Sequence, residues 1–161
     1  MARISKENYY LNIAKTVAGR GTCIRRKFGA IIVKDDVIIS TGYAGATRGR
    51  VNCCDLNYCL RDKMNIPRGE RYELCRSVHA EANAIIAASR DRMLGSTLYL
   101  ACVDPKTGET VPGTCCCQMC KRMVINAGIE KVIVMEEDGK YTVYTVSDWI
   151  ENDDSLGQIG Y

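Results

Sequence analysis

One histidine and one pair of cysteines constrain the fold of this chain more than any other feature. His79 is the sole histidine among 161 residues, and Cys117 and Cys120 follow it as a C-x-x-C pair. These cysteines are one helical turn apart, so both sulfur atoms can face one point. Two cysteines and one histidine are typical zinc ligands. We therefore expect the fold to bring two distant segments to one metal ion.

The position of Glu81 indicates where that ion lies. His79 and Glu81 are two positions apart, about 200° around an ideal helix, so they cannot share a lateral face. A metal above the helix N-terminus removes the conflict, because first-turn side chains and free N–H groups gather there. Cys117 and Cys120 also open a predicted helix. We expect two helix N-termini to meet at the ion, where their positive ends favour thiolate over thiol.

Three protein ligands predict a catalytic zinc site. His79, Cys117 and Cys120 leave the fourth tetrahedral position for water, and bound zinc lowers the pKa of that water to about 7. A carboxylate near the water but off the metal can shuttle its proton, which is the role we predict for Glu81. The pattern thus predicts metal-assisted hydrolysis. The alternative is a non-catalytic zinc-binding module, in which an unliganded glutamate has no use.

The apolar pattern predicts one α/β domain over residues 1–161. Helical spacing, β-branched runs and turn residues predict the order helix, strand, strand, helix, strand, helix, strand. One predicted helix begins near Ser5, a second spans about 77–89, and a third ends before Gly128. The predicted strands span 28–33, 37–43, 97–102, 131–135 and 140–146. Residues 44–76 show little periodicity and are predicted to form a long cysteine-rich insertion. This order is typical of a three-layer fold with a mixed sheet.

Composition narrows the class of protein. A formal net charge of +3 is too small to predict a polymeric nucleic acid or a membrane as partner. The sequence has no leader pattern and no apolar run near the roughly 20 residues that span a bilayer, so we expect a soluble, cytoplasmic protein. Ten cysteines in such a protein favour metal-bound thiolates over disulfides. Free buried thiols are the alternative.

The motifs His79-Ala80-Glu81 and Cys117-Gln118-Met119-Cys120 resemble the zinc-dependent cytidine and deoxycytidylate deaminase superfamily, whose signature is H-x-E with P-C-x-x-C. The order and spacing of further segments resemble its deoxycytidylate deaminase branch, namely FGAIIV, IISTGYAG, GRVNCCD, HAEANAI, STLYL and INAGIEKVIV. The resemblance implies a three-layer α/β/α cytidine-deaminase-like fold with about five strands. It also implies hydrolytic loss of an exocyclic amine as ammonia.

The same resemblance implies the partners of the site. The usual substrate is deoxycytidylate, a pyrimidine nucleotide that is converted to deoxyuridylate, and the backbone N–H of Ala80 contacts its pyrimidine carbonyl. Family members are homo-oligomers, often hexamers, and some bind a nucleotide effector. A transfer-RNA adenosine deaminase shares both motifs, but the sequence has no basic stripe for RNA.

The chain departs from the family pattern at three places. Cys116 stands where the family has a proline before the first cysteine ligand, and spacing favours Cys117 as that ligand. Ala44 stands where the family has an asparagine that contacts the sugar of the substrate. An alanine methyl cannot form that hydrogen bond, so a deaminase of another amine-bearing nucleobase, nucleoside or metabolite is the alternative. The connection 103–116 is also longer than usual.

A second zinc ion is also implied by the resemblance. Viral relatives carry a structural zinc in this region, and Cys23 and Cys53 match ligand positions there. Cys75 falls where such relatives have a histidine. Cys59 would complete four thiolates, which close a structural site and hold an insertion too polar to order itself. The alternative is unliganded thiols in this region.

A nucleotide substrate needs cationic partners for its phosphate, and arginine suits that role. Three basic residues precede the first predicted strand, namely Arg25, Arg26 and Lys27. We select Arg26 as the phosphate-binding candidate, and Ala80 and Ala44 are the other predicted substrate-binding residues. Arg48 and Arg50 are a second group within reach of a phosphate or an effector. The alternative for both groups is a solvated surface.

Overall fold

The computed structural model describes residues 1–157. Its seven strands in that range are β1 (Lys27–Lys34), β2 (Val37–Tyr43), β3 (Gly45–Ala46), β4 (Ser77–Val78), β5 (Thr97–Val103), β6 (Lys131–Met135) and β7 (Tyr141–Thr145). Its α-helices are α1 (Lys6–Ala18), α2 (Cys53–Leu56), α3 (Leu60–Lys63), α4 (Ala80–Ile86), α5 (Arg90–Met93), α6 (Gln118–Ala127) and α7 (Val146–Glu151). The predicted domain of residues 1–161 thus extends over four residues, 158–161, that lie outside the described range.

Five strands form one mixed sheet in the order β2-β1-β5-β6-β7. Strand β1 pairs antiparallel with β2 and with β5, whereas β5 and β6 are parallel and β7 returns antiparallel. Two aspartates, Asp35 and Asp36, join β1 to β2 with φ angles of 50° and 62°. Positive φ at both central residues is typical of the tight turn that matches strand twist. The predicted hairpin and mixed sheet are therefore confirmed.

Helices cover both faces of this sheet. Alternate residues of the strands point to opposite faces, so Ile31 and Tyr99 pack in the cluster that includes α1. Their neighbours Ile32 and Leu100 pack with residues of α4 and α6 on the other face. These side chains are at most 7% exposed. The structure confirms the predicted three-layer α/β arrangement.

Gly42 lets helix α4 lie close to strand β2. A Cβ atom built at Gly42 would come within 2.4 Å of both the Ala80 carbonyl oxygen and the Ala84 nitrogen. Such contacts are too short for any side chain, so only glycine allows this approach. The first turn of α4 is thereby held against the sheet edge.

The predicted helix over 77–89 is shorter in the structure. Ser77–Val78 form strand β4, which pairs with Gly45–Ala46, and the helix begins only after His79. The segment 44–76 also differs from a plain loop, because it contains the short helices α2 and α3. None of the helices within residues 1–157 is long and apolar enough to cross a membrane.

Candidate metal centre

His79 and Cys117 occupy equivalent places at the starts of two helices. His79 is the N-cap of α4 with extended backbone angles (φ −68°, ψ 154°), and Cys117 is the N-cap of α6 (φ −68°, ψ 167°). Cys120, the third residue of α6, is fully buried. The two helix N-termini meet as expected, and their unpaired N–H groups give the site a positive potential.

The three side chains have the spacing of metal ligands. The Nδ1 atom of His79 lies 3.5 Å from the Sγ atom of Cys117 and 3.4 Å from that of Cys120. Tetrahedral zinc with ordinary Zn–N and Zn–S bonds would separate such atoms by about 3.6 Å. All three atoms lie within 4.8 Å of one another. These residues therefore fit one zinc ion without rearrangement.

The electrostatics of the cluster favour a thiolate. A hydrogen bond with Cys120, strengthened by the His79 side chain, lowers the pKa of Cys117 to about 4 although burial opposes the shift. Burial favours neutral His79, but hydrogen bonds with Cys117 and Cys75 prevail and raise its pKa to about 10. The contact with Cys117 raises the pKa of Cys120. The lowered pKa of Cys117 favours the deprotonated sulfur that a metal ligand needs.

Glu81 lies buried beside the three candidate ligand residues. It is the second residue of α4 and is 4% exposed. Burial raises the pKa of its carboxyl group, and the charge of His79 only partly opposes this effect. A carboxyl group with a raised pKa exchanges protons near neutral pH more readily than an exposed one. This environment suits a proton-transfer group.

Two residues of the cysteine-rich insertion contact the imidazole of His79. The ring of Tyr72 meets it edge-on, with ring centroids 4.9 Å apart, and the thiol of Cys75 hydrogen bonds to it. Such outer partners fix the orientation of a metal-bound histidine. Sequence reasoning missed Tyr72, because no local pattern indicates a contact between that segment and His79.

A pocket of about 290 Å³ opens over this cluster. His79, Glu81 and Cys117 line it together with Ala80, the first residue of α4. Ala44 also lines the pocket and is 5% exposed, so its methyl group forms part of the wall. The volume and position suit a small organic substrate whose reacting atom lies at the metal.

Four arginines line the same pocket, of which sequence reasoning identified two. Arg25 pairs with Asp62 at 3.1 Å, and Arg26 pairs with Asp104 at 3.6 Å. Arg61 and Arg68 complete the set. Both belong to the aperiodic insertion, where sequence alone gives no direction for a side chain. Neither Arg48 nor Arg50 lines this pocket.

The four cysteines predicted to hold a second zinc are neighbours without metal-site spacing. Cys23, Cys59 and Cys75 line the pocket, and Cys53 is buried. Burial raises the pKa of Cys53, and Cys23 adds to the shift. Within residues 1–157, however, no three of these sulfur atoms come within 4.8 Å of one another. The second site therefore stays a prediction. Cys54, the remaining cysteine of this region, is exposed.

Known proteins resemble the chain in sequence over most of its length. The family model described as the cytidine and deoxycytidylate deaminase zinc-binding region matches residues 4–136. A deoxycytidylate deaminase of Mycobacterium phage D29 is 34% identical over 142 residues, which cover 85% of this chain and 99% of the relative. The deoxycytidylate deaminase of Schizosaccharomyces pombe is 31% identical over 81% of this chain, which spans only 37% of that longer relative.

Solved structures show the same fold. The dCMP deaminase of cyanophage S-TIM5 in apo form is 27% identical, with a TM-score of 0.56, over 83% of this chain and 85% of that chain. A cytidine deaminase from Mycobacterium tuberculosis, at 18% identity, matches 96% of this chain and 99% of its own with a TM-score of 0.52. The α/β architecture is therefore shared with this group of folds.

Proposed function

Because the chain belongs to the cytidine and deoxycytidylate deaminase family, we propose that it converts dCMP and water to dUMP and ammonia. The observation that carries this proposal is the buried carboxyl group of Glu81 beside the cluster of His79, Cys117 and Cys120. The sequence similarity to the phage deoxycytidylate deaminase, which covers nearly all of that protein, supports the choice of dCMP.

We propose that His79, Cys117 and Cys120 hold one zinc ion. When bound, zinc supplies activation of a water molecule at neutral pH. The imidazole contributes Nδ1, while Cys75 and Tyr72 hold its ring in place. The lowered pKa of the Cys117 thiol supports this ligand set, because metal binding needs a deprotonated sulfur.

In this proposal, Glu81 moves the protons of the reaction. Its carboxylate takes a proton from the attacking water as the new C–O bond forms at C4 of the pyrimidine. It passes this proton to N3, then takes the proton of the new C4 hydroxyl group and delivers it to the exocyclic amine. The C4–N bond breaks as the C4 carbonyl forms, and ammonia is released. A group that acts first as base and then as acid works best when its pKa lies near the working pH. Burial of Glu81 moves its pKa in that direction.

Backbone and side-chain groups of the pocket position the substrate. Ala80 is the first residue of α4, so its N–H has no partner within the helix and is free for the pyrimidine carbonyl. Arg26 lines the pocket and pairs with Asp104 at 3.6 Å, and we propose it as a phosphate contact. These groups would align C4 of the base with the zinc site that His79, Cys117 and Cys120 form.

A second candidate function is the same hydrolysis on another amine-bearing nucleobase, nucleoside or metabolite. The buried methyl group of Ala44 in the pocket wall favours it, because this residue offers no hydrogen bond to a sugar. A non-catalytic zinc module is less well supported. Such a module gains nothing from a buried, unliganded carboxyl group, which costs free energy to desolvate.

We also propose a second, structural zinc held by Cys23, Cys53, Cys59 and Cys75. The backbone N–H of Arg25 donates to the Cys23 sulfur at 3.4 Å, a contact that suits a thiolate. Small movements of the insertion would be needed to gather all four sulfurs. Elemental analysis of the purified protein should give two zinc ions per chain. A single zinc ion per chain that is lost when Cys117 is replaced would exclude this second site.

The remaining parts of the proposal concern the setting of the enzyme. All ten cysteines are unpaired, which suits a reducing compartment such as the cytoplasm. We propose a homo-oligomer, with the hexamer of the family as the expected form, and a nucleotide as effector. Sedimentation with and without dCTP tests both, since an effector that acts through assembly would shift the subunit number.

The direct test of the function is product analysis. The zinc-loaded protein is incubated with dCMP, and dUMP and ammonia are measured in parallel. We expect equal amounts of both products and their loss after removal of the metal by chelation. Absence of dUMP from a sample that contains zinc would contradict the proposal.

A further inference from the structure

Arg61 is a charged residue buried in the wall of the active-site pocket. It is the second residue of helix α3 in the cysteine-rich insertion and is only 4% exposed. Its terminal nitrogen donates hydrogen bonds to the carbonyl oxygens of Pro67 and Glu70, at 2.8 and 2.6 Å. The Nε atom is buried and has no hydrogen-bond partner within residues 1–157. The guanidinium therefore has donor capacity that its contacts do not use.

In the described part of the chain, no carboxylate pairs with Arg61. Its pocket neighbours Arg25 and Arg26 do have carboxylate partners. Glu73, whose pKa Arg61 helps to lower, forms its ion pair with Arg71 instead. Burial of a cation without an anion carries an uncompensated desolvation cost. Such a group is expected where an anionic ligand completes the site.

One aromatic ring separates Arg61 from His79, one of the three candidate metal ligands. The guanidinium carbon lies 4.5 Å from the centre of the Tyr72 ring, and that ring meets the imidazole of His79 with centroids 4.9 Å apart. The stack fixes the position of the arginine relative to His79. A nucleotide whose base lies at His79 would extend its sugar and phosphate along the pocket toward Arg61.

We infer that Arg61 binds the phosphate of the substrate and thereby selects a nucleotide over the corresponding nucleoside. This inference rests on the proposed deamination of dCMP. Arginine binds phosphate through paired hydrogen bonds and carries a permanent charge. Since Arg61 belongs to the cysteine-rich insertion, the insertion takes part in substrate selection as well as in local structure.

The test compares dCMP with deoxycytidine, which has the same base and sugar but no phosphate. In Arg61→Gln, kcat/KM for dCMP should fall at least about tenfold more than kcat/KM for deoxycytidine. Lys63→Gln is the matched control. Lys63 lies on the same helix with its ammonium 3.5 Å from the centre of the Tyr58 ring, but it does not line the pocket. The control should keep the preference of the parent.

Equal losses for both substrates in Arg61→Gln, or no loss, would overturn the inference and indicate a purely structural arginine. If that variant loses its zinc or unfolds, Arg61→Lys decides, because it keeps the charge and most of the stem but loses the paired donors. Arg61→Lys should also lose more activity on dCMP than on deoxycytidine, and equal kcat/KM ratios in parent and variant would overturn the inference.

If the parent deaminates neither substrate, the proposed function fails and calorimetric titration with dUMP and deoxyuridine tests Arg61 by itself. Weaker binding of dUMP alone in Arg61→Gln would support the phosphate contact, whereas parallel changes for both ligands would overturn it.

Discussion

The imidazole Nδ1 of His79 and the sulfur of Cys117 lie 3.5 Å apart, and each residue caps the start of a different helix. This relationship explains the unusual spacing of His79 and Glu81. A cap residue points along the helix axis, whereas Glu81 belongs to the first turn, so both can approach one point from different directions. The site thus depends on where two helices begin.

Replacement of Glu81 by glutamine should remove proton transfer and leave the ligand set intact. We expect kcat to fall by at least about 100-fold, because general acid–base catalysis contributes on that scale. Zinc content, measured by elemental analysis, should match the parent. Turnover near the parent value in Glu81→Gln would contradict the role that we assign to this carboxyl group.

Cys117→Ser should cost the protein one zinc ion per chain together with its activity. A serine hydroxyl at this position keeps its proton at neutral pH and replaces a thiolate poorly. Cys54→Ser is the matched control, because Cys54 is exposed and does not line the pocket. Unchanged zinc content in Cys117→Ser would show that another thiol of the run 115–117 is the ligand.

Ala44→Asn should shift substrate preference toward nucleotides with a deoxyribose. The new amide would face the pocket from a wall that now offers only a methyl group. One added hydrogen bond is expected to raise kcat/KM for dCMP by about 2- to 10-fold relative to free cytosine. An unchanged ratio between these substrates would mean that sugar recognition lies elsewhere in the pocket.

The activity should fall at acidic pH through titration of Glu81. Burial raises the pKa of this carboxyl group above its usual value of about 4.3. Because the deprotonated form accepts the proton of water, kcat/KM should decrease as the pH falls through this raised pKa. The acid limb of the pH profile of dCMP deamination should therefore lie above pH 4.3. A flat profile down to that pH would contradict the raised pKa.

Sequence patterns predicted the sheet well for physical reasons, and the ligand atoms of the three residues predicted to bind the metal lie within 4.8 Å of one another. Strands β2 and β6 match the predicted ranges 37–43 and 131–135, because β-branched runs bounded by turn residues report local structure directly. The start of α4 was predicted wrongly. Ser77–Val78 are held as a strand by Gly45–Ala46, a pairing of distant segments that no local pattern contains.

The pocket wall could not be predicted for the same reason. Arg61 takes its position from a contact with the Tyr72 ring, and Tyr72 takes its position from a contact with the imidazole of His79. Both residues belong to an aperiodic insertion, where no local pattern indicates such contacts. Thr114 also lines the pocket, and its buried hydroxyl has no hydrogen-bond partner within residues 1–157. No sequence pattern indicated this position either. Residue type alone does not reveal which side of a loop faces a cavity.

The most direct test of the central claim is ammonia release by the zinc-loaded protein from dCMP, CMP, dCTP, deoxycytidine, guanine and adenosine at equal concentrations. We predict the highest kcat/KM for dCMP and its loss in Glu81→Gln. Ammonia release from another of these amines without any from dCMP would contradict the proposed substrate. Absence of ammonia from all six would contradict the proposed deaminase activity on these compounds.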